Sequence, residues 1–138
     1  MFYFVVRRLR WLARVPSLPL IFDSLLLTWV CATKPSRLKA MEMLEAEALQ
    51  IPGVQLRVHR FGGMEFFNTE TKRELGHLHG HGLLDVRTGR ENARKLIAAG
   101  QVRPHHIFPD SAWISFPVKS CEDIPFALEL LQMRQRKL

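Results

Sequence analysis

Three histidines stand at every second position in His77-Leu78-His79-Gly80-His81. Successive side chains of a strand point to opposite faces, and residues two apart lie about 7 Å apart on one face. The run therefore predicts a β-strand with imidazoles on one side and Leu78 on the other. That requirement shapes the rest of the chain, because a strand needs paired neighbours and a covered apolar face.

The neighbours are legible. Val54, Leu56 and Val58 alternate with Gln55, Arg57 and His59, and Met64 to Phe67 follow a Gly62-Gly63 turn. Asn68 to Lys72 forms a polar hairpin loop, and Arg73 to Val86 reads as one long strand bent at Gly80 or Gly82. Trp113 to Val118 is a fourth strand. Helices are expected from Pro35-Ser36 to Pro52-Gly53 with Ser36 as N-cap, from Gly89 to Gly100, and after Ser120. The predicted class is α+β, a four-stranded mostly antiparallel sheet with helices on one face, preceded by an apolar N-terminal helical segment.

With 138 residues and 47% hydrophobic composition the chain suits one folded domain. Two cysteines, Cys31 and Cys121, give no disulfide framework and no zinc ribbon. Charge is unevenly placed. The first 40 residues hold seven Lys or Arg against Asp23 alone, while the rest holds 13 against 12 acids. A nearly neutral folded body is unlike a nucleic-acid-binding domain, so no nucleic-acid partner is expected. The basic excess accompanies the apolar run Leu18–Ala32, in which Asp23 is the one charge. That run is short for a membrane span, and Asp23 argues against a signal peptide. A helix packed on the domain and peripheral attachment to an anionic membrane both fit. The expected organisation is a segment 1–34 with membrane contact and a domain 35–138, in a cytoplasmic, membrane-associated chain of unknown oligomeric state.

Val54, Leu56, Val58, Met64, Phe66, Leu78, Leu84, Ile114, Phe116 and Val118 form the expected core face. The opposite face collects Arg57, His59, Glu65, Phe67, His77, His79, His81, Trp113 and Ser115. Imidazoles, a carboxylate, a guanidinium and flat apolar rings together suit a small-molecule pocket. His77 and His79 can serve proton transfer or, with a carboxylate such as Glu65 or Glu74, hold a metal. His105 and His106, in a loop between prolines, can reach over a sheet face. No phosphate-binding loop, nucleophile elbow or His-Glu-x-x-His is present, so no nucleotide cofactor is indicated.

The segment Lys72-Arg73-Glu74-Leu75-Gly76-His77-Leu78-His79 resembles the signature of the fungal luciferase family and the small bacterial luciferase-domain proteins grouped with it. Gly100, His105, Trp113 and the Glu122-Asp123 helix start continue the resemblance, which spans roughly residues 54–133. Gly100-Gln101-Val102 replaces the family's Gly-Trp-Gly, and Asp85 stands where a further histidine is usual. The resemblance implies addition of O₂ to a hydroxylated pyrone such as 3-hydroxyhispidin, with loss of CO₂ and light. It implies catalytic Glu74, His77, His79 and His105, with Trp113 and Asp85 at the substrate, O₂ as co-substrate, and no flavin or nucleotide; no metal ligand is assigned. A non-catalytic binding module at a membrane surface, and a metal-dependent enzyme built on the His-x-His strand, are the alternatives.

Overall fold

The computed structural model describes residues 17–60 and 62–136. The basic stretch Arg7 to Arg14 therefore lies outside the described residues. Helix α1 (Leu18–Thr33) leads through Lys34 into α2 (Pro35–Ala48). Then come β1 (Val54–Val58), β2 (Met64–Asn68), β3 (Arg73–Leu78), β4 (Leu83–Arg87), helix α3 (Arg90–Ala98), β5 (Arg103–Pro104) and β6 (Trp113–Pro117). A short 3₁₀ turn, Cys121–Asp123, opens into α4 (Ile124–Gln135). The strands form one antiparallel sheet in the order β1-β2-β3-β4-β6-β5.

The α+β class holds, but the sheet has six strands rather than four. The predicted long strand from Arg73 is two strands, because the chain reverses between them. His79 donates its backbone N–H to Leu83 O at 2.9 Å, and Gly82 donates to His79 O at 2.8 Å. Gly82 takes φ +83°, which glycine adopts without a Cβ penalty. The sixth strand, β5, is a two-residue edge pairing inside what reads in sequence as a loop.

Helix α2 begins two residues earlier than expected. Lys34 is the N-cap and Pro35 occupies the first turn, where a missing N–H costs no hydrogen bond. Before α4, the Asp123 carboxylate accepts backbone N–H groups from Lys119 and Ser120 at 2.7 and 3.0 Å. This satisfies donors that a helix start would leave open.

The core lies between the sheet and α2 and α4. Leu44, Phe66, Leu75, Leu84, Val86, Ile114, Leu130 and Leu131 are fully buried. Each such side chain contributes about 1.5–3 kcal/mol through removal from water. The expected core face is largely correct, except at Val58 and its pair Met64, which is half-buried outside the core cluster. Val58 is 72% exposed, because it lies at the end of edge strand β1, beyond the helical cover.

Helix α1 approaches the sheet at two glycines. A Cβ on Gly80 would lie 2.5 Å from Asp23 O, and one on Gly62 would lie 2.3 Å from Asp23 Cβ. Only glycine permits so close an approach at either position. Outward, α1 exposes Ile21, Leu25 and Trp29, spaced four residues apart on one side. Ser24 and Thr28 turn their hydroxyls back onto the carbonyls of Leu20 and Ser24. Among the described residues no helix is long and apolar enough to cross a membrane.

Candidate functional site: a buried imidazole and carboxylate cluster

Strand register places a polar row across the sheet. Arg57 pairs with Glu65, Glu65 with His77, His77 with Asp85, and Asp85 with Ser115. Directly paired residues share a face, so alternation alone assembles most of the site. Leu84 and Val86 flank Asp85 and point into the core.

One position breaks the alternation. Phe66 pairs with Gly76 but Phe67 pairs with Glu74, so Leu75 is an extra residue in β3. This bulge sends Leu75 into the core and turns Glu74 onto the face of His77, three residues away. Glu74 Oε1 accepts from His77 Nδ1 at 2.6 Å. The His77 proton on that nitrogen leaves the Nε2 lone pair facing the interior.

Asp85 is at the centre and has no exposed surface. Its Oδ2 lies 3.1 Å from His79 Nε2, 3.3 Å from His105 Nε2, 3.4 Å from His106 Nδ1 and 3.6 Å from His77 Nε2. Its Oδ1 accepts a short hydrogen bond from the Ser115 hydroxyl. His105 Nδ1 accepts backbone N–H groups from Ile107 and Phe108 at 3.2 and 3.1 Å. Its proton therefore sits on Nε2, where it is directed at Asp85. The two prolines, Pro104 in β5 and Pro109 beyond the loop, flank the segment that carries this ring.

Helix α1 supplies a second buried carboxylate. Asp23 Oδ1 accepts the Gly80 N–H at 2.9 Å and lies 3.5 Å from His79 Nδ1. His79 is thus held between carboxylates on its two nitrogens. Aromatic groups complete the surround. His59 stacks on His77 at 4.0 Å with a 7° interplanar angle. Trp113 lies 5.7 Å from His77 and 5.9 Å from His105, and Phe108 stacks on His105 at 5.5 Å. Two surface clefts, of about 480 and 230 Å³, lie elsewhere, one against Ile51 and Leu128 and the other against Val102 and Phe116.

Most sequence-predicted residues meet here: Glu74, His77, His79, His105, Asp85, Ser115, His59 and Trp113. Glu65 is beside His77 in register. Arg57 instead lies 3.5 Å over the ring of Phe67, and that pair forms a separate stack. His81 occupies the β3–β4 turn rather than the strand, with its ring 5.7 Å from that of His79. Sequence reasoning left Asp23 out of the site and named His106 only as a loop residue able to reach over the sheet face. Their signals were a lone carboxylate in an apolar run and a histidine adjacent to His105.

The electrostatics follow from this packing. Burial alone would push the His79 imidazole down, but hydrogen bonds to Asp23 and Asp85 outweigh it and raise its pKa to about 9. Burial would likewise raise Asp85, yet hydrogen bonds from His105 and His79 hold it far below the usual carboxylate range. For Glu74 the opposing burial effect is overcome by the His77 hydrogen bond. Burial dominates at His59, His81 and His106, reinforced by neighbouring imidazoles, and each falls to about 4.

These shifts define a pH profile for the metal-free protein. His79 binds its proton more tightly when folded, so its contribution is complete below 6.5 and is lost as pH rises towards 9. His59, His81 and His106 act oppositely, and their contribution is lost as pH falls from 6.5 towards 4. The urea midpoint of metal-free protein is expected to peak near pH 6.5 and fall on both sides. A midpoint that is flat from pH 5 to 9 would contradict these assignments.

Residues 72–134 match the family model described as Luciferase domain. No curated protein and no solved structure matches the chain. The matched stretch runs from the start of β3 almost to the end of α4. Glu74, His77, His79, Asp85, His105, His106 and Trp113 fall inside it, whereas Asp23 and His59 fall outside.

Proposed function

We propose, from the premise that residues 72–134 form a luciferase-like domain, that the imidazole cluster is the reaction centre of an oxygenase. Its substrate is a small, flat, enolisable aromatic or pyrone-like compound, with O₂ as co-substrate and no organic cofactor. The observation that carries this reading is the convergence of His77, His79 and His105 on Asp85 inside the matched stretch.

The chemistry needs three things: a base for the enol proton, positive charge for the enolate and the peroxide, and a surrounding poor in water. An imidazole of the cluster takes the enol proton. The enolate carbon then supplies the electrons for a C–O bond to O₂, and the proton returns to the terminal oxygen. The product is a hydroperoxide that contains both oxygen atoms, so no external reductant is required. Glu74 fixes His77 through Nδ1 and keeps its Nε2 directed inward. Trp113 and Phe108, the latter 55% exposed, offer ring surfaces against which a flat substrate can stack at the rim. Oxygen-electrode measurements with hydroxypyrones and hydroxylated aromatics test the proposal. Accelerated O₂ uptake with at least one of them is expected, and uptake no faster than without protein for all of them would refute it.

A second reading concerns where the chemistry takes place. The exposed Ile21, Leu25 and Trp29 of α1 support peripheral contact with a membrane surface. Cosedimentation with anionic vesicles is expected for the full chain and is expected to be lost in the double substitution Leu25→Glu, Trp29→Glu. Equal cosedimentation of the two proteins would exclude α1 as the contact.

A further inference from the structure

Three potential donor residues of the cluster lie close together. One ligand atom from each of His77, His79 and Asp85 lies within 4.8 Å of the others, and Asp85 Oδ2 is 3.6 Å from His77 Nε2 and 3.1 Å from His79 Nε2. An ion about 2.1 Å from each of several neighbouring ligands sets donor separations of about 3.0–3.5 Å. The observed spacings therefore need small adjustments of side chains, not a change in the sheet. The two histidine positions come from β3 and its adjoining turn, and Asp85 is the β4 partner of His77.

The outer side of each donor is anchored as metal ligands usually are. His77 gives its other nitrogen to Glu74 at 2.6 Å, and His79 turns its other nitrogen to Asp23 at 3.5 Å. Asp85 accepts the Ser115 hydroxyl on its second oxygen. Carboxylates behind ligating imidazoles fix the ring and raise its basicity. The other titratable clusters fit less well. His105 has its Nδ1 taken by the backbone N–H groups of Ile107 and Phe108, which fixes its Nε2–H on Asp85, whereas on His79 an ion would displace the Nε2 proton shared with Asp85. Around Glu74, the His77 nitrogen is already hydrogen-bonded and His59 Nε2 lies 3.9 Å away.

We propose that His77, His79 and Asp85 form a two-histidine, one-carboxylate site for a divalent first-row transition ion, with iron(II) the favoured occupant. Two nitrogens and one oxygen without thiolate suit this class of ion. Three protein ligands leave coordination positions free, as a reactive site requires and a closed structural site does not. The sequence carries such a site as an alternative, with Glu65 or Glu74 as the carboxylate; here the carboxylate is Asp85. An ion there would supply the positive charge at which an enolate oxygen collects. Metal binding stands whatever the organic substrate proves to be.

The test uses the full chain, stripped with chelator and loaded anaerobically with iron(II), or with cobalt(II) as a spectroscopic probe. After desalting, elemental analysis is expected to find about one ion per chain, and cobalt(II) is expected to show ligand-field absorption. Both signals are lost in His79→Ala and Asp85→Asn and kept in His81→Ala. Asp23→Asn, which leaves all three ligands in place, weakens binding about 10- to 100-fold. Rescue by Asp23→Glu separates positioning of His79 from general loss of fold. If His79→Ala does not fold, His77→Gln provides the same comparison. Wild-type protein that retains neither ion, or full retention in the folded ligand variants, would overturn the proposal. Metal-loaded protein that consumes no O₂ with any hydroxypyrone would refute the oxygenase proposal and leave the metal site standing.

Discussion

Replacing Asp85 with alanine is expected to cost the metal-free protein about 3–5 kcal/mol of folding stability, the range for removing one partner of a buried ionic cluster. The reason is its position. Its two oxygens serve Ser115, His79 and His105, with His77 and His106 close behind, and none of these groups finds water in its place. Removal leaves a protonated His79 with Asp23 alone and orphans the Ser115 hydroxyl. Leaving buried donors unpaired is costlier than never having formed the bonds. Urea denaturation at neutral pH measures the effect. Asp85→Asn should be milder, because an amide oxygen can still accept from Ser115. A loss below about 1 kcal/mol for the alanine variant would show that the cluster does not depend on its central charge.

His77→Ala is expected to lower kcat/KM for O₂-consuming turnover by about 10²–10⁴-fold, the contribution of a positioned acid–base group, and a lost metal ligand lowers it at least as far. His77 is the junction between three parts of the site. Glu74 holds one nitrogen, Asp85 faces the other, and His59 and Trp113 pack on the ring. Its loss removes a donor atom and disconnects Glu74 from the interior. Glu74→Gln should fall between wild type and His77→Ala, because the amide can still accept the Nδ1–H without its charge. Turnover within about threefold of wild type in His77→Ala would place the chemistry elsewhere, since even weak acid–base groups contribute more than this.

How much of this was legible in sequence depended on whether the signal was local. Alternation in a strand is local, and it put His77, Glu65 and Ser115 opposite Phe66, Leu84 and Ile114. The bulge at Leu75 is not visible in the pattern. Strict parity would send Leu75 towards the imidazoles and Glu74 away, and Glu74 was marked only as a carboxylate near the histidines and by the luciferase signature, not by alternation. The reversal between β3 and β4 was hidden because Gly80-His81-Gly82 suits a bend as well as a turn. Arg103-Pro104 is too short to show a period. Asp23 meets Gly80 across 57 residues, and nothing near either residue announces it. Asp85 stood out only as a departure from the family pattern, yet the fold makes it the hub.

The two sides of α1 have a practical consequence for anyone trimming this chain. One side carries Leu25 and Trp29 outward, and the other inserts Asp23 behind His79. Truncation after residue 33, the obvious way to probe lipid attachment or to isolate the luciferase-like stretch, would therefore remove Asp23 from behind His79 along with the exposed Leu25 and Trp29. A shortened protein that is inert would say nothing about lipids, and one that no longer sediments would say nothing about chemistry.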